Sequence, residues 1–134
     1  MTRSLRRTLA ATAVAVLIHA PGCRRAGPEI QQVSQSEVAA SLGHGDAPFL
    51  LDVRTPAEFA SGHVPGAVNI PQDSLASHLQ ELTGLRGREI VVYCERGPRS
   101  AKAAALLVGA GFSAVRHLTG DMAGWRSAGL PTAK

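Results

Sequence analysis

The chain has 134 residues, 45% of them apolar and 4% aromatic, with 14 Lys and Arg against 10 Asp and Glu and a formal net charge of +4. That length holds one ordinary domain and excludes two, and a domain of this size builds a core without disulfide staples. Removing Arg3, Arg6 and Arg7 leaves 11 of the 14 basic residues against all 10 acids, so the rest is near neutral and, with no basic stripe interleaved with aromatics, gives nucleic-acid binding no support.

Met1–Arg7 is a basic start, Thr8–Ile18 an apolar run, and His19-Ala20-Pro21-Gly22-Cys23 breaks it. This order predicts a secretory signal peptide over residues 1–22. The run is too short to span a bilayer, which takes about 20 residues. Gly22-Cys23 resembles the end of a bacterial lipoprotein signal, with Cys23 as the lipidated residue. The expected product is exported to the periplasm or cell envelope and touches the membrane only through Cys23. Residues 23–28 read as a polar, Gly/Pro-punctuated tether, and residues 29–134 as the domain.

Ile30–Val33 is a short first strand. Ser34 and Glu37 have capping-box spacing and open a helix through Leu42, ended by Gly43 and Gly45. Phe49–Arg54 is a nearly unbroken apolar run, as in a central parallel strand covered on both faces. Thr55-Pro56 opens a short helix that Gly62 closes. Ala67–Pro71 is a short strand, and Ser74–Leu82 a helix with Leu75, Leu79 and Leu82 on one stripe. Ile90–Tyr93 is a buried strand, Ser100–Gly109 a helix, Ala114–Leu118 the last strand and Asp121–Ser127 the last helix. Strands alternating with helices predict an α/β fold, a central parallel sheet with helices on both faces. In such sheets ligands bind beyond the carboxyl ends of the strands, where Cys94 stands.

Cys94 therefore sits between a buried strand and a helix start. Unpaired N–H groups there, with the charges of Arg96 and Arg99, favour a thiolate and an anionic ligand. With Cys23 lipidated or removed, Cys94 is the lone thiol. Asp52, Arg54 and Glu58 form a polar group after the second strand. Arg54 and Glu58, four apart at a helix start, are expected to pair with each other. His44, His63, His78 and His117 lack metal-ligand spacing, and no cofactor is expected. Trp125 reads as a core or lid aromatic.

Three motifs point to a family. Cys94-x-x-Gly97-x-Arg99-Ser100 resembles the active-site loop of rhodanese-like sulfurtransferases. Leu51-Asp52-Val53-Arg54-x-Pro56-x-Glu58-Phe59-x-x-Gly62-His63-Val64-Pro65-Gly66-Ala67-x-Asn69-Ile70-Pro71 is similar to its N-terminal signature, and Trp125-x-x-Ala128-Gly129-Leu130-Pro131 to its C-terminal one. The resemblance covers about residues 30–133. It implies the rhodanese-like fold, and a Cys94 persulfide that carries sulfur from a small anionic donor such as thiosulfate to cyanide or a thiol. It places Arg99 at the donor, with Glu95, Arg96, Gly97, Pro98 and Ser100 around it, and makes Asp52 an organiser of neighbouring loops. Three departures stand out. Glu95 brings a carboxylate that disfavours the thiolate and repels an anion. Pro98 removes one N–H from the loop. Asp121 follows Gly120 where the family commonly has a second glycine. Two other readings compete: a non-catalytic sulfur carrier or sensor, and a cysteine-dependent phosphatase. The latter normally has one more residue between its cysteine and arginine.

Overall fold

The computed structural model describes residues 29–134; the expected signal peptide, the tether and Cys23 lie outside the described residues. Five parallel strands, β1 (Gln31–Val33), β2 (Phe49–Asp52), β3 (Val68–Asn69), β4 (Ile90–Tyr93) and β5 (Val115–Leu118), form one sheet in the order β1-β5-β4-β2-β3. All of β4 is buried at the sheet centre. Its register pairs Tyr93 with Asp52 of β2 and Val92 with His117 of β5. The carboxyl ends of β2, β4 and β5 therefore open at one edge.

Alternation within each strand divides the core into two. Leu51, Ile90, Val92 and Val115 pack one face against Leu75 of α3 (Leu75–His78) and Ala103, Ala104 and Leu107 of α4 (Pro98–Gly109). Leu50, Val91, Tyr93 and Leu118 pack the other against Val38 of α1 (Gln35–His44) and Met122 and Trp125 of α5 (Asp121–Ser127). With α2 (Pro56–Ser61), the helices alternate with the strands as predicted. Alanines at positions 103 and 104 let α4 lie close to the sheet, which suits a core poor in aromatics. Trp125 is a core residue, fully buried, and its Nε1–H donates to the Pro131 carbonyl at 2.8 Å.

Several elements differ from expectation. The helix predicted over 74–82 stops at His78 and continues in three-residue turns to a 3₁₀ turn at Thr83–Leu85. Ser77, His78 and Thr83 turn their side chains onto carbonyls three or four residues back, at 2.7, 2.8 and 2.9 Å. That competition shortens helices. The strands predicted over 49–54 and 67–71 are shorter. Past β2, Val53 still bonds to both neighbouring segments, through its N–H to the Tyr93 carbonyl and its carbonyl from the Gln72 N–H, at 3.0 and 3.1 Å. The next N–H, of Arg54, turns to the Asp52 carboxylate at 2.9 Å. Helix α4 begins at Pro98, two residues early, because proline suits a first helical position that needs no N–H. At α1, Ser34 accepts the Glu37 N–H, but the Glu37 carboxylate turns to Arg116 at 2.8 Å. The complete capping box lies at α2 instead, between Thr55 and Glu58.

Candidate functional site

Cys94 directly follows the central strand, and three residues separate it from α4. Closing so short a turn requires φ +119° at Gly97, a region that side chains disfavour. A Cβ there would stand 3.5 Å from the Asp121 carboxylate. The turn brings the Gly97 N–H to Cys94 Sγ at 3.0 Å and the Ser100 Oγ to it at 3.4 Å. Cys94 is 1% exposed and, among the described residues, is the free cysteine. Its sulfur lies at the start of a twelve-residue helix, whose first N–H groups have no intrahelical acceptor and favour negative charge.

Beneath the turn lies a polar group that sequence reasoning missed. Asp121 Oδ1 accepts the Cys94 N–H at 2.8 Å and the Ser100 hydroxyl at 2.9 Å. His117 Nε2 is 3.0 Å from both Asp121 oxygens and 2.9 Å from Ser100 Oγ. Burial pushes the Asp121 carboxyl upward, but hydrogen bonds from His117, the Cys94 N–H and Ser100 outweigh it and hold the carboxyl below its ordinary range. Asp121 has φ +53°, the one positive φ at a non-glycine among the described residues. An aspartate where the family commonly has glycine was the available signal. His117 enters the sequence reading only as one of four histidines without metal-ligand spacing.

Around the mouth, the ion pairs differ from the predicted ones. Arg54 does not pair with Glu58. It folds back over the sheet end, its Nη2 2.7 Å from Asp52 Oδ2 and 2.8 Å from the Gly62 carbonyl. Burial works against the Arg54 charge, and Asp52 overcomes this and holds the guanidinium above its ordinary pKa. Asn69 donates to the carbonyls of Asp52 and Arg54, both at 2.9 Å, tying β3 to the same corner. Glu58 instead meets Arg99 of α4 through two contacts, 2.7 and 2.8 Å. Arg99, followed by burial's opposite pull and lesser Thr55 bonds, holds the Glu58 carboxyl down to about 2. Glu95 faces Arg54 at 3.4 Å and also pairs with Arg126. The Glu95 carboxylate beside the thiol is therefore matched by two cations. Arg96 and Pro98 are exposed on the rim, and Ser100 is buried beneath it.

A cysteine on the turn after a central parallel strand, with an arginine five positions on, is the arrangement that the Cys94 loop motif implies. A family model described as the rhodanese-like domain matches residues 34–128. The chain belongs to the rhodanese-like domain family. This rhodanese-like chain is 31% identical over 102 residues to a protein named sulfurtransferase from Allochromatium vinosum, an alignment covering 76% of this chain and 94% of that one. It superposes on a human single-domain sulfurtransferase with a TM-score of 0.65 at 31% identity, covering 74% and 97% of the two chains. A thiosulfate sulfurtransferase of Pseudomonas aeruginosa gives a TM-score of 0.71 at 30% identity, covering 78% of this chain and 20% of that longer one.

Proposed function

We propose that this rhodanese-like protein is a sulfurtransferase that carries a sulfane sulfur on Cys94. The observation behind the proposal is the sulfur's setting at the start of α4, with the Gly97 N–H donating to Sγ at 3.0 Å and the Ser100 Oγ 3.4 Å away. Arg99 stands five positions on at the same mouth, and the relatives named sulfurtransferases support the reaction class. The Cys94 thiolate attacks the outer sulfur of thiosulfate. A new S–S bond forms, the donor's own S–S bond breaks, and its electron pair leaves with sulfite. Cyanide or a thiolate then attacks the outer sulfur of the persulfide and takes it, returning the Cys94 thiolate. Arg99 and the exposed Arg96 receive the sulfonate end, where arginine can fork two N–H groups onto oxygens. Four residues between Cys94 and Arg99 favour a sulfur-sized site over a phosphate-sized one.

The proposal includes export and a lipid anchor at Cys23, on the basic, apolar and small-residue order of residues 1–23. Loss of membrane association in Cys23→Ala is the expected result.

Intact mass after thiosulfate tests the chemistry. The expected gain is one sulfur, about 32 Da, removed by cyanide and absent in Cys94→Ala. No adduct with thiosulfate or polysulfide would overturn the persulfide route.

A further inference from the structure

The carboxylates at the mouth are each met by an arginine, but the one beneath the sulfur is not. Asp52 pairs with Arg54, Glu58 with Arg99, and Glu95 with Arg54 and Arg126. Asp121 is buried, and its partners are the Cys94 N–H at 2.8 Å, the Ser100 hydroxyl at 2.9 Å and His117 Nε2 at 3.0 Å. The Gln32 amide nitrogen stands 3.3 Å from His117 Nδ1. In that arrangement Nδ1 accepts, Nε2 donates to Asp121, and the imidazole carries no charge. Burial works against the Asp121 charge, yet the three donors hold the carboxyl below its ordinary range, so it stays an anion. Ser100 Oγ touches both Asp121 Oδ1 and, at 3.4 Å, Cys94 Sγ. Carboxylate and sulfur therefore stand within about 6 Å, the range in which a like charge disfavours an anion.

We propose that the Asp121 carboxylate biases Cys94 toward holding sulfur, favouring the persulfide over the bare thiolate. The bias rests on the sulfurtransferase reading and deepens it. In the thiolate the negative charge sits on Sγ, beside the carboxylate. On loading, Sγ bonds to the outer sulfur of thiosulfate, the donor's S–S bond breaks, and its electron pair leaves with sulfite. The persulfide's charge then sits on its outer sulfur, one bond further out toward the mouth. On release, cyanide bonds to that outer sulfur, thiocyanate departs, and the charge returns to Sγ. A carboxylate beneath Sγ therefore opposes the thiolate more than the persulfide. A thiolate held against a like charge is also the stronger nucleophile and the poorer leaving group. Both effects favour loading and slow release.

Asp121 touches no reacting atom; it is a positioning residue that acts through its charge and its hold on the Cys94 N–H. Its φ of +53° is a conformation that glycine adopts without strain, and glycine is what the family commonly has there. The carboxylate is thus a feature of this chain, kept in place by its three contacts. The other charged and titratable groups around the sulfur are few. His117 comes from β5. Arg99, from the first turn of α4, feels the sulfur's charge and carries Glu58 of α2. Glu95 follows Cys94 in the turn and is held by Arg54 and Arg126. Arg116, next to His117, is engaged elsewhere by Glu37 and Glu89.

The test compares full-length wild type, Asp121→Asn and Asp121→Gly. Asparagine keeps the shape: its oxygen accepts the Cys94 N–H, and its amide donates to His117 in the other tautomer. Iodoacetamide alkylation, followed by mass on the Cys94 peptide, gives the pH midpoint of the thiol. Above the midpoints of all three proteins, intact mass gives the persulfide fraction at a fixed ratio of thiosulfate to sulfite, and the rate at which cyanide discharges it. In Asp121→Asn the midpoint should fall by on the order of one unit. The persulfide fraction should fall severalfold, and discharge should quicken about threefold. Asp121→Gly should move all three the same way, and it decides the matter if Asp121→Asn fails to fold. A discharge rate unchanged in Asp121→Asn would overturn the bias. So would loading and discharge slowed together with an unmoved midpoint, the pattern of a purely structural network. In either case a wild-type persulfide leaves the sulfurtransferase reading standing. Absence of a wild-type persulfide removes that reading, and the bias with it.

Discussion

Arg99 and Glu58 lie on different helices, 41 residues apart in the chain, and meet in a two-point ion pair of 2.7 and 2.8 Å at the mouth of the cysteine turn. About a third of each side chain is exposed. The pair links α2 to α4, and it holds Arg99 while leaving it open to an arriving anion. Arg99→Ala is expected to raise the KM for thiosulfate about tenfold or more, the loss of a charge-assisted contact, with a smaller change in kcat. Steady-state kinetics check this, and an unchanged KM would remove Arg99 from donor binding.

The same pair makes stability acid-sensitive. The Glu58 carboxyl is held at about 2 when folded, against an ordinary 4.5. A carboxyl lowered by folding stabilises fully above its unfolded value and loses that contribution as pH falls through the folded one. The stability difference between wild type and Glu58→Gln should therefore be largest above about pH 5 and shrink toward pH 2. Urea midpoints measured across that range give the answer. A constant difference would mean that the Thr55 capping contacts, not the charge, carry the effect.

Arg54 and Asp52 are 1% and 0% exposed. Arg54→Met removes the cation and leaves Asp52 buried without its main partner, a change that typically costs about 3–5 kcal/mol. In a domain of this size the melting temperature should drop by roughly 10 °C or more. Thermal unfolding would show it. The double variant Asp52→Leu/Arg54→Met is expected to recover part of the loss, because it removes the stranded carboxylate as well.

Glu95 reads from its position as an obstacle to an anionic donor, yet Arg54 and Arg126 balance it. Glu95→Gln should change the KM for thiosulfate by less than about threefold, the scale of a partly exposed ion pair. A large fall in KM would show that its charge reaches the donor despite both arginines.

What could be read along the chain was what depends on neighbours in sequence. Alternating strand and helix patterns give the α/β class, because burial on both faces makes β2 and β4 nearly continuous apolar runs. The short span from Cys94 to Arg99 places the thiol on a strand-to-helix turn, because few residues leave few conformations. Pro98, Gly97 and Thr55-Pro56 announce their turn and helix start through φ restrictions that act within one residue. Serine and threonine hydroxyls bonding back to carbonyls are also local, yet the apolar stripe of Leu75, Leu79 and Leu82 outweighed them in the prediction of α3.

The pairing of charges was decided elsewhere. Arg54 and Glu58 have helix-pair spacing, but Arg54 precedes the helix and finds Asp52 over the sheet end, while Glu58 finds Arg99 from another helix. Glu95 finds Arg126, 31 residues on. Strand order β5-β4-β2 puts His117, Cys94 and Arg54 side by side, and only that order brings Asp121 under the cysteine turn. A charged side chain takes the nearest opposite charge in space, and the sheet, closed by apolar burial on two faces, sets which charge that is.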